Sequence, residues 1–468
     1  MNYISTRGRA PAVGFEDALL AGLAPDGGLY APEAWPRVAP EEIAAFAGRP
    51  FAETAAKVLA RFTGDAFTPD RLAAMTAQAY RGFDRPEVAP LTRIGDEDWL
   101  LELFHGPTLA FKDVAMQLLG VLFEDVLERR GARLTIVGAT SGDTGGAAIE
   151  ALKGRKRIDV FILHPEGMIT EVQRRMMTTA DEANVFNIAV QGSFDDCQAI
   201  VKSLFADRAF ADRVRLSGVN SINWARLAAQ TVYYFTAAAS LGAPARAASF
   251  VVPTGNFGDA FAGYATARMG LPVERICLAV NENDILHRAL TTGVYAPAAV
   301  TPTSAPSMDI QRASNFERLL FEAAGRDAAA VSAMMTTLEQ SGRFEMSDAL
   351  LAEIAKTFIS ERAGEEETLA EVKRFAETAG ALIDPHTAVG LVALRKARGQ
   401  GRIDGPAVVL STAHPAKFPD AVEKATGRRP ALPADLADLY DRPEQVKRLA
   451  GDVETVKSYI LQHARAAG

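Results

Sequence analysis

The sequence predicts an α/β protein with parallel sheets and a mainly helical N-terminal region. From residue 98 onward, short apolar segments alternate with helical patterns, which is typical of parallel strands covered by helices on both faces. Glycine-rich turns follow two of these segments directly and lead into helices, as expected at the ends of parallel strands. The strand candidates are residues 99–104, 134–138, 160–164, 185–190, 249–253, 276–281 and 407–412.

These patterns divide the chain into four segments. Residues 1–95 show helical patterns interrupted by Pro and Gly, which predicts a helical N-terminal domain. We expect a smaller α/β domain over residues 96–215 and a larger one over residues 216–430. A helical insertion is predicted at about 283–380 within the larger domain, because strand patterns stop there. Residues 431–468 are predicted to form closing amphipathic helices.

Composition excludes several functional classes. The chain has 468 residues, 48% of them hydrophobic, which is enough for roughly two to four domains. Its net charge is −8 with basic residues scattered among acidic ones, whereas nucleic-acid binding requires a clustered basic face. No apolar segment has the ~18 residues of a membrane span, and the N-terminus lacks a signal-peptide core. We therefore expect a cytoplasmic protein that binds neither membranes nor nucleic acid.

Cysteine and histidine usage also argues against a metal site. The two cysteines, Cys197 and Cys277, lie in separate apolar segments and cannot form a disulfide framework or a cysteine-rich metal centre. The six histidines include no HExxH pair. The sequence therefore predicts a reducing environment and no bound metal.

Lys112 occupies an unusual position within HGPTLAFKD, residues 105–113. This segment follows a strand candidate and leads into a helix with an apolar stripe, so Lys112 falls in the first helical turn. A cation there opposes the positive end of the helix dipole, and burial would lower the pKa of its amine. Lys112 is therefore a candidate functional residue. The alternative is a surface lysine whose charge is balanced by its neighbour Asp113.

Residues 138–146, GATSGDTGG, form a candidate anion-binding loop. They lie between an apolar strand and a helix, and four of the nine residues are glycine. Backbone amides of such a loop can converge on an anion, and the following helix adds its positive end. Ser141 and Thr144 add hydroxyl donors. Neither a Walker motif nor GxGxxG is present, and a plain strand-to-helix turn is the alternative.

A second loop and a third polar segment show related chemistry. Residues 253–259, PTGNFGD, again join an apolar strand to a helix, and an ordinary tight turn is again the alternative. Residues 220–226, NSINWAR, offer amides, a hydroxyl and the guanidinium of Arg226, a set suited to a phosphate or carboxylate. Taken alone, Arg226 could equally form a surface salt bridge.

One further strand candidate ends in polar residues. The segment 408–414, VVLSTAH, carries hydroxyl groups and a histidine at its carboxyl end, where α/β sheets bind ligands. A lysine at one strand–helix junction, two anion loops and a hydroxyl-tipped strand together fit a pyridoxal phosphate enzyme. The lysine would form a Schiff base, one loop would bind the cofactor phosphate, and the other would bind the substrate carboxylate.

Five motifs in this order resemble those of the threonine synthase family, in its long form with an N-terminal helical domain. They are HGPTLAFKD, SGDTGGAA, NSINWAR, TGNFGD and LSTAHPAKF, accompanied by GLAPDGGLY and SMDIQRASNFERL. The resemblance spans most of the chain. It implies a pyridoxal phosphate enzyme of fold type II, similar to the tryptophan synthase β subunit. Such an enzyme converts O-phospho-L-homoserine and water to L-threonine and phosphate.

The resemblance also implies which residues bind the cofactor. Lys112 matches the Schiff-base lysine, in the smaller domain. Thr412 matches the hydroxyl that faces the pyridine nitrogen, and Asp143 matches a residue near the phenolic oxygen, where related enzymes often have Asn. The loop around the cofactor phosphate, in the larger domain, matches Gly255, Asn256, Phe257, Gly258 and Asp259. The last of these positions is Asn in some relatives.

The remaining implied roles concern the substrate. Ser141, Thr144 and Gly145 match the loop over its carboxylate. The groups that bind its phosphate match Asn220, Ser221 and Arg226. For the three histidines that lie in family-like motifs we expect structural roles; these are His105, His386 and His414.

The implied reaction is a γ-elimination followed by addition of water at Cβ, with Lys112 as the proton carrier. The product phosphate is a further candidate base for that water. Two alternatives remain: a related pyridoxal phosphate lyase or dehydratase that releases a 2-oxo acid, and a non-catalytic paralogue that binds phosphorylated amino acids. Either a monomer or a homodimer is compatible with the sequence.

Overall fold

The computed structural model describes residues 1–467 and contains two main sheets. One has six strands and the other has five, and sheets of three and two strands accompany them within this range. The strands are β1 Asn2–Ser5, β2 Val13–Gly14, β3 Tyr30–Pro32, β4 Leu91–Arg93, β5 Asp98–Glu102, β6 Leu134–Ala139, β7 Ile158–Pro165, β8 Val185–Val190, β9 Leu216–Ser217, β10 Ala248–Pro253, β11 Val273–Val280, β12 Val294–Tyr295, β13 Phe344–Glu345, β14 Phe358–Arg362, β15 Ala407–Ser411 and β16 Lys447–Leu449.

Helices cover both main sheets. They are α1 Phe15–Ala21, α2 Pro40–Ala44, α3 Phe51–Thr63, α4 Pro69–Ala79, α5 Lys112–Arg129, α6 Asp143–Leu152, α7 Glu171–Thr178, α8 Phe194–Ala206, α9 Arg208–Val214, α10 Trp224–Ser240, α11 Gly258–Met269, α12 Ile285–Thr292, α13 Phe316–Ala323, α14 Ala328–Ser341, α15 Asp348–Ala355, α16 Glu365–Ala379, α17 Pro385–Gly399, α18 Pro419–Thr426 and α19 Val453–His463. In the part of the chain that is described, none is long and apolar enough to span a membrane.

The six-stranded sheet has the order β14-β11-β10-β15-β5-β4. All neighbours are parallel except β4 and β5, and the strands β10 and β15 are completely buried. Strand β5 corrects our prediction that residues 96–215 form one α/β unit. It pairs with β15, Val408 opposite Trp99, because β15 is an interior strand that needs a hydrogen-bonding partner on each side.

The five-stranded sheet has the order β16-β8-β7-β6-β9, and all its neighbours are parallel. Two of its strands lie outside the segment predicted for the smaller domain. Strand β9 begins at Leu216, and β16 comes from the C-terminal segment, where only helices were predicted. The strand β16 covers the edge of β8 with the polar sequence KRL, which shows no apolar run because an edge strand is largely exposed.

The predicted helical insertion and helical N-terminal region each contain short strands as well. Strand β14 lies within the insertion and forms one edge of the six-stranded sheet. In the N-terminal region, α1–α4 accompany a three-stranded antiparallel sheet of β2, β1 and β3. The helix α3 packs against α10, and the buried ring of Trp224 contacts Tyr3 and Phe62. The N-terminal region thus shares one apolar core with α10, whose first residues belong to the NSINWAR segment.

Candidate active site

Lys112 is the first residue of α5 and is 8% exposed. The amide of Phe111 donates to the carbonyl of Thr412 at 2.8 Å, and Ala110 forms an isolated bridge with Ala413. These contacts join the start of α5 to the end of β15. The structure therefore brings together Lys112 and Thr412, which the sequence places 300 positions apart.

The Lys112 amine is buried beside a single carboxylate. Its Nζ lies 3.3 Å from Oδ2 of Asp143, the first residue of α6, and 5.0 Å from the ring centre of Phe111. Burial lowers the pKa of Lys112, and the charges of Lys417 and Arg226 add to this effect while Asp143 opposes it. The environment thus shifts this amine toward its neutral form, which is the form able to act as a nucleophile or base.

Asp143 is the centre of a buried polar cluster. Its Oδ1 lies 2.7 Å from Nζ of Lys417 and accepts from Gln173 at 2.9 Å, while Oδ2 accepts from Ser307 at 2.8 Å. Burial alone would raise the pKa of Asp143, but the positive charge of Lys417, and that of Lys112 in its protonated form, hold it well below its usual value. Sequence reasoning assigned no role to Lys417, Gln173 or Ser307, although Lys417 and Ser307 lie inside quoted motifs.

The loop before α6 is closed by a threonine. Thr140 Oγ1 accepts hydrogen bonds from the amides of Gly142 and Gly145, both at 2.9 Å. A Cβ at Gly145 would lie 2.5 Å from the Thr140 methyl group, so only glycine fits there. Ser141 and Thr144 are half-buried. The amide of Gly145 is thus engaged by the protein, and the two hydroxyl groups are the better donors for a ligand in this loop.

The second loop joins β10 to α11 through an unusual backbone conformation. Phe257 has φ = +65°, in the left-handed region, and its ring packs against Phe316 and Phe358. A Cβ at Gly255 would lie 2.8 Å from the carbonyl oxygen of Ser307. Loop 253–259 therefore has close backbone packing on one side, and α11 begins at Gly258 with its positive end toward the loop.

Asp259 points beneath this loop. Its Oδ1 accepts from the hydroxyl of Tyr233 at 2.5 Å and of Tyr234 at 2.9 Å, and burial raises its pKa to about 6. This side chain supports α11 from the protein interior.

The third predicted segment adjoins the second loop. A Cβ at Gly258 would lie 3.4 Å from Cβ of Ser221. Asn315 links the two segments, since its amide donates to the carbonyl of Asn256 and its Nδ2 donates to that of Ser221, both at 3.1 Å. Asn220 is half-buried one residue earlier. Sequence reasoning did not assign a role to Asn315, which lies in the motif SMDIQRASNFERL.

Arg226 is buried close to these loops. It is 3% exposed, and its Nη1 donates to the carbonyl of Val219 at 2.8 Å. Its Nε has no hydrogen-bond partner within residues 1–467, and burial lowers its pKa to about 10. A buried guanidinium with an unpaired donor is suited to an anionic ligand. Arg226 is therefore not a surface salt-bridge residue.

The three histidines have protein partners. His105 lies between Asp84 and Glu102, at 2.8 and 2.9 Å. His414 caps the short turn Pro415–Lys417 by accepting from the amide of Ala416. Each of these contacts fits a structural role.

His386 connects the Asp143 cluster to α17. Its Nδ1 lies 2.8 Å from Asp384, and its Nε2 accepts from the Ser307 amide at 3.2 Å. This pattern corresponds to a neutral ring with its proton on Nδ1. His386 thus fixes the segment that carries Ser307 over loop 253–259.

Taken together, these residues fit pyridoxal phosphate. Lys112 and Lys417 both contact Asp143, and the charge of Arg226 also acts on Lys112, so the pocket carries a surplus of positive charge. The unpaired Nε of Arg226 is a feature of an anion site, and loop 253–259 lies at the positive end of α11. Within the described range, no cluster of three His, Cys, Asp or Glu side chains has a metal-site arrangement.

Three family models match the chain in succession. The threonine synthase N terminus matches residues 2–80, pyridoxal-phosphate dependent enzymes match residues 89–342, and the threonine synthase C-terminal region matches residues 387–460. The chain is 50% identical to a threonine synthase of Pseudomonas aeruginosa, covering 99% of this chain and 98% of the relative. It is 41% identical to that of Saccharomyces cerevisiae, covering 98% and 97%.

Solved structures agree with these matches and confirm the predicted fold. The pyridoxal-phosphate-bound threonine synthase of Brucella melitensis is 53% identical, with a TM-score of 0.96 over 99% of this chain and 100% of that one. The yeast threonine synthase is 39% identical, with a TM-score of 0.92 over 99% and 98%. The chain therefore belongs to the threonine synthase family and is a pyridoxal-phosphate-dependent lyase.

Proposed function

We propose that the enzyme converts O-phospho-L-homoserine and water to L-threonine and phosphate. The observation that carries this proposal is the contact between two loops: Ser221 lies beside Gly258, at the start of the helix that would bind the cofactor phosphate. Arg226, whose Nη1 donates to the carbonyl of Val219 just before segment 220–226, supplies a buried, unpaired donor. A second phosphate group in the substrate would use this donor, whereas a serine or threonine dehydratase substrate has no such group.

Several residues would hold the cofactor. Lys112 would bind it covalently through its amine, and Thr412 would face its pyridine ring from the end of β15. The loop residues would surround its phosphate group; these are Gly255, Asn256, Phe257, Gly258 and Asp259. Asp259 would act indirectly by supporting α11, since its carboxylate is engaged by two tyrosine hydroxyls. The bound cofactor supplies an electron sink for charge that develops at the substrate Cα.

The protein's own contribution begins with Lys112. As a neutral amine it removes the Cα proton, passes that proton to the substrate phosphate and, once neutral again, removes a second proton from Cβ. Phosphate leaves from Cγ into the group formed by Asn220, Ser221 and Arg226. Lys112 gives the Cβ proton to Cγ, the hydroxyl group of water adds at Cβ, and the proton left by that water passes through Lys112 to Cα. One water is consumed and one phosphate is released, so the atoms of the overall reaction balance.

The substrate carboxylate would be bound by the loop before α6. Ser141 and Thr144 are half-buried there and present hydroxyl donors, and the start of α6 adds its positive end. Gly145 would contribute mainly by letting the loop pack closely, because its amide already donates to Thr140. Asp143, 3.3 Å from Nζ of Lys112, would lie close enough to the bound cofactor to influence its phenolic oxygen.

Product identity tests this function directly. Purified holoenzyme given O-phospho-L-homoserine should form L-threonine and inorganic phosphate in equal amounts, which amino-acid analysis and a phosphate assay measure. Formation of 2-oxobutyrate in place of threonine would identify a lyase of the alternative class. Absence of any turnover by yellow, folded protein would support the non-catalytic binder instead.

We also propose a cytoplasmic location and a monomeric or homodimeric state. Both cysteines are buried free thiols, as expected of a protein that works in a reducing compartment. Light scattering during size-exclusion chromatography would establish the mass of the assembly.

A further inference from the structure

Lys417 is a second buried lysine at the active site. It is the last residue of the turn Pro415–Lys417 after β15, and only 1% of it is exposed. Its Nζ lies 2.7 Å from Oδ1 of Asp143 and donates to the carbonyl oxygen of Thr108 at 2.7 Å. Thr108 belongs to the bend that precedes Lys112. Lys417 thus connects the Lys112 bend to the Asp143 loop.

Two lysines contact the Asp143 carboxylate, and the contact of Lys417 is the shorter one. Lys417 has two acceptors at 2.7 Å, whereas Lys112 has one contact to this carboxylate, at 3.3 Å. A charge-assisted hydrogen bond is strongest at about 2.7–2.9 Å, so Lys417 is the better partner of Asp143. The remaining hydrogen bonds of the carboxylate go to Gln173 and Ser307, both uncharged.

The charges that face Lys112 come from three other elements. Asp143 lies on α6, Lys417 follows β15 and Arg226 lies on α10. His386, on α17, lies near Asp143. Its neutral ring accepts a hydrogen bond from the Ser307 amide. With both lysines charged, Lys112 would face two other buried cations, Lys417 and Arg226, and a single carboxylate, which is costly in a site of low dielectric. Loss of one proton relieves this cost, and the lysine with the weaker contacts loses it.

We propose that Lys417 is a positioning residue that occupies the Asp143 carboxylate and thereby leaves Lys112 as the neutral amine on which the reaction depends. This inference rests on the function proposed above. The lowered pKa of Lys112 agrees with it: burial is the largest cause, and the Lys417 charge acts in the same direction. Lys417 is almost completely buried, so it acts through Asp143 and Thr108 and is not itself exposed to a ligand.

Replacement of Lys417 by Met tests the inference. The variant removes a cation near Lys112, and Lys112 then becomes the only lysine that contacts the Asp143 carboxylate. We expect the pH at which the visible absorbance of the holoenzyme changes to rise by about one unit or more. We also expect the kcat of Lys417→Met to be lower than that of the unaltered enzyme at neutral pH and to recover as the pH is raised. Lys424→Met is the matched control, because Lys424 is an exposed lysine at the end of α18, and its absorbance profile should equal that of the unaltered enzyme.

Two further variants separate the effect of the Lys417 charge from an effect on folding. Lys417→Gln retains a donor toward Thr108 and should give the same upward shift if the Met variant folds poorly. Lys417→Arg keeps the positive charge and should keep the original absorbance profile even where its activity falls. An unchanged profile in Lys417→Met or Lys417→Gln protein that is yellow and still makes threonine would overturn the inference and leave the proposed function intact. Failure of the unaltered enzyme to make threonine would overturn the function itself.

Discussion

Asp113 directs its carboxylate at Thr108 and not at Lys112, the residue beside it in the chain. Oδ2 accepts from the Thr108 amide at 2.8 Å and Oδ1 accepts from its hydroxyl at 2.6 Å. A Cβ at Gly106 would lie 2.4 Å from Cβ of Asp113, so the bend before α5 is packed directly on this side chain. The completely buried Asp113 therefore holds the bend that places Lys112 and is not its surface counterion.

Removal of the Thr108 hydroxyl should destabilise this bend in a pH-dependent way. Burial raises the pKa of Asp113 to about 6, and the hydroxyl opposes that rise, so Thr108→Val should raise the pKa further. A raised carboxyl pKa means that the protein loses stability as the pH increases through that value. We expect a loss of about 1–3 kcal/mol in urea unfolding at pH 7.5 and a smaller loss at pH 4.5.

The control for this prediction is Thr266→Val. Thr266 is equally buried, but its hydroxyl donates only to the carbonyl of Gly263 within its own helix. Its cost should be similar at the two pH values. A Thr108→Val cost that does not depend on pH would contradict the role assigned to Asp113.

Lys112→Ala should remove the visible absorbance of the holoenzyme and abolish threonine formation. The variant lacks the amine that would hold the cofactor and move the substrate protons, and the neighbouring Lys417 is held by two acceptors and cannot replace it. Absorbance spectra after cofactor addition and gel filtration measure the first effect. Lys202→Ala, on the exposed side of α8, should remain yellow and active. A yellow Lys112→Ala protein would refute the central assignment.

Arg226→Ala should weaken binding of the phosphorylated substrate selectively. Truncation of a buried charged donor costs about 2 kcal/mol or more, so we expect KM for O-phospho-L-homoserine to rise at least about 30-fold. Inhibition by an unphosphorylated analogue such as L-homoserine should change little, and Arg226→Lys should restore part of the loss. If both ligands are weakened equally, Arg226 serves the fold and not the substrate phosphate.

Two adjacent glycines of α6 should respond in opposite ways to alanine. A Cβ at Gly145 would lie 2.5 Å from the Thr140 methyl group and 2.6 Å from Sδ of Met177, whereas the nearest atom to a Cβ at Gly146 is 3.9 Å away. We expect Gly145→Ala to destabilise by about 1–3 kcal/mol through overpacking. Gly146→Ala should be neutral or stabilising by about 0.5–1 kcal/mol, because alanine favours helix. Thermal unfolding of both variants measures the difference.

Local patterns were sufficient to predict the main strands and the loops that carry the site. All seven strand candidates correspond to observed strands within a few residues, since each is a short apolar run beside a turn. The loop before α6 and loop 253–259 both join a strand to a helix as predicted. Their glycines and polar residues form compact local signals, which short-range reasoning detects well.

The missing members of the site depend on long-range contacts. Gln173, Ser307 and Lys417 reach Asp143 from three separate elements, and a single glutamine, serine or lysine carries no periodic signal of such a contact. The prediction of which strands belong to which sheet failed for the same reason. Strand β5 is close to β6 in sequence, but its hydrogen-bonding partner is β15. The strands β14 and β16 are short and partly polar, so helical neighbours obscured them.

The pairing of β5 with β15 also has a consequence for how the chain reaches its native state. Thr108 and Lys417, which are hydrogen-bonded in the folded enzyme, are 309 positions apart. During synthesis, the ribosome must add most of the protein after Lys112 before the strand that precedes this lysine finds its partner. Long-range pairings of this kind slow folding and leave strand edges open in the meantime. We therefore expect chaperones to bind the nascent chain during the interval in which its N-terminal half has been made and β15 has not.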